Sequence, residues 1–234
     1  MMPSKKKIQR LNQDLITNII LSPELINTVS TADQAEMAIP SYLNKNPFVR
    51  AMFWRRYDAV YRLSKLKPNM TVCEFGCGIG VFLPTLAAEV KQVYAIDLYP
   101  QYAQELTKRQ GLKNITFIKD LSHVPDHSLD LMIAVEVMEH LDDPAGFTRI
   151  FTKKLKPTGR LVMSGPTESW VYKLGRFIVG YNKYHDYHEH NVYQLIDIIA
   201  KNGFMVNQTL RFPYPLFPLF LICTYGVKNN QYDQ

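Results

Sequence analysis

Thr71–Phe75 is a short, strand-forming run that leads straight into Gly76, Cys77, Gly78, Ile79 and Gly80, three glycines at alternate positions. Residues without a Cβ reach positive φ cheaply and leave no side chain between the backbone and a bound molecule. A strand that ends in such a turn and continues into Phe82, Leu83, Leu86 and Ala87 at helical spacing is the opening unit of an α/β layer structure. A glycine cluster alone also fits an ordinary structural turn, so the surroundings must decide.

The chain downstream repeats that unit. Val93–Asp97 and Ile115–Ile118 are predicted strands two and three, separated by a helix with Pro100 at its start and Gly111 at its end. Leu129–Val135 is a continuous apolar run, as a strand buried on both faces requires. Asp143 and Pro144 read as N-cap and first helical position ahead of Phe147, Ile150, Phe151 and Leu155. Lys156–Gly159 is a turn into strand five, Arg160–Ser164, after which the chain is irregular until Asn191 caps a helix that ends at Gly203. Phe204–Phe212 and Leu219–Val227 are then two strands joined by a proline-rich loop. Upstream, Pro47–Leu66 is an amphipathic helix, with Phe48, Met52, Val60 and Leu63 spaced for burial and Arg55, Arg56 and Arg62 toward solvent. The order predicts a doubly wound α/β fold with helices on both faces, residues 47–234 forming the main domain and residues 1–46 an N-terminal helical extension or lid.

Acidic residues around the turn narrow the ligand. Glu74 stands two residues before the first glycine, where a carboxylate suits a cationic, phosphate-free ligand better than a pyrophosphate. The dinucleotide fingerprint wants its third glycine where this chain has Val81, which argues against nicotinamide and flavin cofactors. Asp97 ends strand two, where a carboxylate can accept hydrogen bonds from both hydroxyls of a ribose. Asp120 follows strand three and is placed to meet an adenine amino group. Either acid alone is an ordinary cap; together, at the ends of adjacent parallel strands, they line one crevice.

Val72–Gly80, the Asp97 position, and Leu129–Leu131 with Glu136-Val137-Met138-Glu139-His140-Leu141 resemble the class I S-adenosylmethionine-dependent methyltransferases, within them the broad group that includes ubiquinone-biosynthesis enzymes. The resemblance covers about Asn69 to Gly165, with similarity of order alone through Val227. It implies a Rossmann-like, seven-stranded sheet whose last strand is antiparallel, and S-adenosyl-L-methionine as cofactor. It further implies that Glu74, Gly76 and Gly78 shape the methionine and ribose pocket, with Cys77 and Gly80 completing the turn. Asp97 with Leu98 would border the ribose, Asp120 with Leu121 the adenine, and Glu136 the methionine end.

Methyl transfer from a sulfonium is an in-line displacement that needs a positioned acceptor and, for an amine or hydroxyl, a base. His140 is one candidate, and His188 and His190 in the His185-x-x-His188-x-His190 cluster are others, a solvated polar loop being the competing reading. If Glu136 begins a helical turn, then Glu136, Glu139 and His140 share one side and could hold a divalent cation, Mg or Mn, as some ubiquinone-type and small-RNA 3′-end methyltransferases do by resemblance. Without a metal the same side chains cap a turn or bind cofactor. Trp170, Tyr172, Phe177, Tyr181, Tyr184 and Tyr187, with Phe212–Phe220, could wall a pocket for an apolar or planar small-molecule acceptor, core packing being the alternative.

The net charge of +6 permits acidic partners, but Lys5–Lys7 supplies half of it from one tract, which reads as a solvated tail rather than a nucleic-acid arm. RNA or protein methylation and a catalytically inactive, cofactor-binding interaction protein are the competing functional readings. Three cysteines cannot all pair, so a reduced, cytoplasmic setting is expected. No leader is expected, because polar residues follow the lysines. Phe212–Val227, the most apolar stretch, is too short for a membrane span and carries three prolines, which leaves peripheral membrane contact open. Nothing in the sequence specifies an oligomeric state.

Overall fold

A computed structural model of the chain describes residues 7–179 and 189–228. Seven strands form one sheet: β1 (Thr71–Phe75), β2 (Gln92–Ile96), β3 (Ile115–Phe117), β4 (Leu129–Val135), β5 (Leu155–Pro166), β6 (Phe204–Phe212) and β7 (Phe220–Val227). Their order is β3-β2-β1-β4-β5-β7-β6, and β7 runs antiparallel to both neighbours while β1 to β5 are parallel. The Rossmann-like sheet and its reversed last strand are as the resemblance implies.

Alternation along the strands divides the core. Val72, Leu131, Ile133 and Val162 pack on one face with α4 (Pro47–Ser64), α5 (Leu83–Glu89) and α6 (Gln101–Arg109). Cys73, Met132, Ala134, Leu161 and Met163 pack on the other with α7 (Pro144–Lys154) and α9 (Val192–Lys201). Each fully buried aliphatic side chain contributes about 1.5–3 kcal/mol, so the uninterrupted apolar run of β4 reflects a strand that must be apolar on both sides.

The N-terminal extension comprises α1 (Gln13–Ile20), α2 (Thr31–Glu36) and α3 (Ile39–Tyr42). Buried Asp58 of α4 anchors it, accepting from Ile8 N–H at 2.9 Å and from the Arg10 guanidinium at 3.0 Å. Gln9 N–H donates to Thr85 Oγ1 at 2.8 Å, so the segment ahead of α1 is fastened to α5 as well.

Four local expectations change. Helical spacing puts Arg56 toward solvent and Phe48 inward, but Arg56 is 2% exposed and Phe48 83%. Phe48 is the second residue of α4 and lies before the stretch that packs on the sheet, and Arg56 finds an ion-pair partner far along the chain. Strand five starts at Leu155 rather than Arg160, because Leu155 pairs with Leu129 across a register shift that absorbs the predicted turn. The irregular stretch after β5 contains a helix, α8 (Trp170–Val179). Glu136 does not begin a helical turn: its φ is +53°, and the short 3₁₀ helix spans Met138–His140.

Candidate functional site

The glycine turn at the end of β1 is tied to the end of β2. Gly76 and Cys77 N–H groups donate to Ile96 O at 2.9 and 3.1 Å, and Gly78 N–H donates to Asp97 Oδ2 at 2.7 Å. Asp97 Oδ1 accepts from Tyr99 N–H at 3.0 Å, so this carboxylate organises both loops at once. Gly76 has φ +76°, and a Cβ there would stand 2.6 Å from Val137 Cγ2, a contact only glycine avoids. Gly78 has φ +54° and faces Met37 of the N-terminal extension, whose nearest atoms would lie 3.9 Å from a Cβ. Gly80 instead backs onto Leu83 and Ala103, which makes it a packing residue between α5 and α6 rather than part of the cleft.

A cleft of about 340 Å³ opens at the carboxyl ends of β1, β2 and β4. Phe75–Ile79, Ile96–Tyr99, Lys119–Leu121 and Val135–Val137 form its floor and walls, and Met37, Ala38, Tyr42, Arg56 and Tyr57 cover it from above. Cys77, Gly76, Gly78, Asp97, Leu98, Asp120, Leu121 and Glu136 therefore meet in one cavity. Asp120 also caps the 3₁₀ helix Leu121–His123, accepting from Ser122 N–H at 2.8 Å, so the ordinary cap role and the position in the cleft coincide.

Glu74 lies behind the turn, 2% exposed, and its Oε2 has no hydrogen-bond partner among the described residues. Burial, with the nearby Asp97 charge second, pushes its carboxyl well above the usual carboxylate range. Tyr42 and Tyr57, hydrogen-bonded to each other, have their phenols raised mainly by burial and so remain O–H groups at neutral pH.

Sequence reasoning missed Arg56. Its guanidinium Nη1 lies 3.2 Å from Glu136 Oε2, and Ser164 Oγ donates to Glu136 Oε1 at 2.5 Å, so both carboxylate oxygens are engaged. The guanidinium also stands over Phe53 at 4.9 Å and Phe220 at 4.6 Å from the ring centroids, within cation–π range. These partners hold Glu136 in a left-handed conformation that costs a non-glycine residue about 1–2 kcal/mol. The signal available in the sequence was an arginine among Phe53, Trp54 and Tyr57 on a helix face otherwise apolar.

His140 lines the cleft beside Glu136. Glu139 is buried beneath it, and its backbone O accepts from Glu189 N–H at 3.0 Å, which sets the residue before His190 against the 3₁₀ helix. His190 itself is half-buried and outside the cleft lining. His185, His188, Tyr181, Tyr184 and Tyr187 lie outside the described residues. The shared face assumed for Glu136, Glu139 and His140 does not form, since Glu136 precedes the 3₁₀ helix in a left-handed conformation and is paired with Arg56. Among the described residues no three His, Cys, Asp or Glu side chains are grouped to hold a metal ion.

The strand order, the reversed β7 and a glycine turn opening on a cleft at the carboxyl ends of the strands define a class I methyltransferase fold. A family model described as a methyltransferase domain matches residues 48–212, and the chain belongs to that family. A Mycobacterium tuberculosis protein, named as a probable S-adenosylmethionine-dependent methyltransferase, is 30% identical over 159 residues, covering 65% of this chain and 56% of the relative. A ubiquinone biosynthesis O-methyltransferase of Xanthomonas oryzae pv. oryzae is 31% identical over 100 residues, 40% of this chain and 41% of that protein. The chain thus spans about half the length of these curated relatives. The N-methyltransferase NodS of Bradyrhizobium japonicum, solved with S-adenosyl-L-homocysteine, superimposes with a TM-score of 0.64 at 20% identity over 85% of this chain and 97% of its own, a likeness of fold. Among the described residues no helix is long and apolar enough to cross a membrane.

Proposed function

We propose that this chain binds S-adenosyl-L-methionine in the cleft and directs its methyl group to an oxygen or nitrogen of a small, apolar or aromatic acceptor. The observation that carries the reading is the joining of Gly76, Gly78, Asp97, Asp120 and Glu136 in one cleft beneath the aromatic side chains of the N-terminal helices. The cofactor would supply an activated methyl group on a sulfonium. The residues fit it: the backbone at Gly78 is bare toward the cavity, the Asp97 and Asp120 carboxylates border it, and no basic side chain in the turn asks for a pyrophosphate. Asp97 already serves two backbone donors, yet carboxylate oxygens have about four lone-pair sites, which leaves capacity for ribose hydroxyls.

The chain's own work is then to orient and to exclude water. Residues 1–46 act as the cover and the remainder as the transfer domain; Tyr42 and Tyr57 bound the acceptor end. His140 is the favoured base because it borders the cleft; His190, outside the cleft lining, and His188 are the second candidates for that role. The relatives named for ubiquinone biosynthesis and for N-methylation support an acceptor of this size and chemistry. For a divalent cation the donor set does not fit, because Glu136 is committed to Arg56 and Ser164. Thorough chelation is therefore expected to leave methyl transfer unchanged, and activity restored only by added Mg or Mn would reverse that reading.

The test is transfer of labelled methyl from S-adenosylmethionine into fractionated cell extract. Label is expected in the small-molecule, organic-soluble fraction. Label confined to RNA or protein would move the acceptor to those classes, and no transfer to any fraction would remove the activity.

A further inference from the structure

Isolated apolar side chains are common on protein surfaces, but a contiguous group marks an interaction site. One end of this molecule gathers such a group. Helix α4 lies along β5: near its C-terminal end Ser64 O accepts from Arg160 at 2.6 Å, and halfway along it Phe53 packs on Phe220, which pairs with Pro166 at the end of β5. Its first turn, with exposed Phe48, therefore extends past the carboxyl end of that strand. There Thr167 N–H donates to Leu219 O at 3.0 Å and its Oγ1 to Pro218 O at 2.9 Å, which joins the start of α8 to the loop between β6 and β7. Tyr172 closes the join on Phe220, with ring centroids 5.7 Å apart. The two segments present Trp170 (70% exposed), Leu174, Tyr214, Leu216 (84% exposed) and Phe217 to solvent at the same end as Phe48.

Charge around this corner is predominantly positive. Lys45, Arg50 and Arg55 flank Phe48, Lys173 lies between Trp170 and Leu174, and Arg211 precedes the exposed loop. Glu168 is the single acid within residues 43–57, 167–174 and 205–219. A partner for this surface must offer an apolar layer beneath negative charge. Tryptophan and tyrosine favour the headgroup level of a bilayer, leucine and phenylalanine enter the acyl boundary, and lysine and arginine meet anionic headgroups.

We propose that this corner docks on an anionic lipid bilayer, with Leu216, Phe217 and Trp170 entering the interface and Lys45, Arg55, Lys173 and Arg211 against the headgroups. The docked face adjoins the aromatic layer of Phe53, Tyr172 and Phe220 that contacts Arg56 at the cleft, so an apolar acceptor could pass from lipid to site without crossing water. The docking itself stands independently of methyl transfer; only the passage of an acceptor rests on that reading.

Co-sedimentation of the full chain with vesicles tests it, using phosphatidylcholine alone and phosphatidylcholine mixed with phosphatidylglycerol. Binding to the anionic vesicles should exceed that to the neutral ones by at least about tenfold and weaken as salt rises. The double variant Leu216→Ser, Phe217→Ser should lose at least about tenfold in anionic-vesicle binding while keeping its calorimetric affinity for S-adenosylhomocysteine, since neither residue borders the cleft. Wild-type protein that stays in the supernatant with anionic vesicles, or a double variant that sediments unchanged, overturns the proposal. So does light scattering that reveals a wild-type dimer dissolved by the same substitutions, which would give the surface to a second copy. Absent affinity for S-adenosylhomocysteine would count against the methyltransferase reading and leave the vesicle result standing.

Discussion

Arg56 and Glu136 lie 80 positions apart and meet at the cleft wall, and their pairing does not follow from local pattern. Periodicity along α4 ranks an arginine as a surface residue, and nothing short-range in the sequence signals that the acid after β4 will turn left-handed to meet it. Glu136 is partly exposed to the cleft and keeps Ser164, so removing Arg56 costs less than breaking a fully buried pair, about 1–3 kcal/mol. Arg56→Met should therefore lower unfolding stability in urea by about that amount, and Glu136→Gln introduced on top should restore part of it. Strict additivity of the two losses would show that the pair is not coupled. Glu74 is the converse case: its place at the end of β1 is legible in the sequence, but its titration is not. Its folded-state carboxyl titrates well above the ordinary 4.5, so the stability it lends is complete below pH about 4.5 and is lost as pH rises toward the folded value. Relative to Glu74→Gln, the wild type should lose stability across that rise; parallel pH profiles for the two proteins would refute the burial argument.

Elements bounded by strong local chemistry were read nearly to the residue. Thr71–Phe75 and Leu129–Val135 coincide with β1 and β4, because a glycine turn ends one and a two-sided apolar requirement defines the other. Asn191 does cap α9: its side chain accepts from Tyr193 and Gln194 N–H, and Gln194 reciprocates to the Asn191 backbone N–H. Asn191→Ala should cost about 1 kcal/mol in chemical denaturation, within the range for lost caps, and an unchanged midpoint would mean that the helix is held by packing alone. The failures have physical causes too. Leu155 joins β5 because its pairing with Leu129 outweighs the turn preference of Pro157 and Gly159. Helix α8 was hidden by Gly175 in its middle, although Ser169, whose Oγ accepts from Tyr172 N–H at 3.3 Å, was a usable start signal. The supposed Glu136-to-His140 helical face failed because the 3₁₀ turn begins two residues later.

Across the whole molecule, the sheet supplies the turn and the acids, while the N-terminal helices and α4 supply the cover. The sequence carried the first set plainly, since each of those residues sits at a strand end whose neighbours fix it. It carried the second set poorly, because Met37, Tyr42 and Tyr57 reach the cleft only through tertiary packing. The composite cleft is expected to accept an S-adenosyl ligand and no dinucleotide. Isothermal titration calorimetry with S-adenosylhomocysteine and with NAD, on the wild type and on Asp97→Ala, addresses it most directly. Expected are saturable S-adenosylhomocysteine binding, none for NAD, and a loss of about 1–3 kcal/mol in Asp97→Ala, where backbone donors at Gly78 and Tyr99 lose their acceptor along with the ligand contact. Tight NAD binding with no heat from S-adenosylhomocysteine would contradict it.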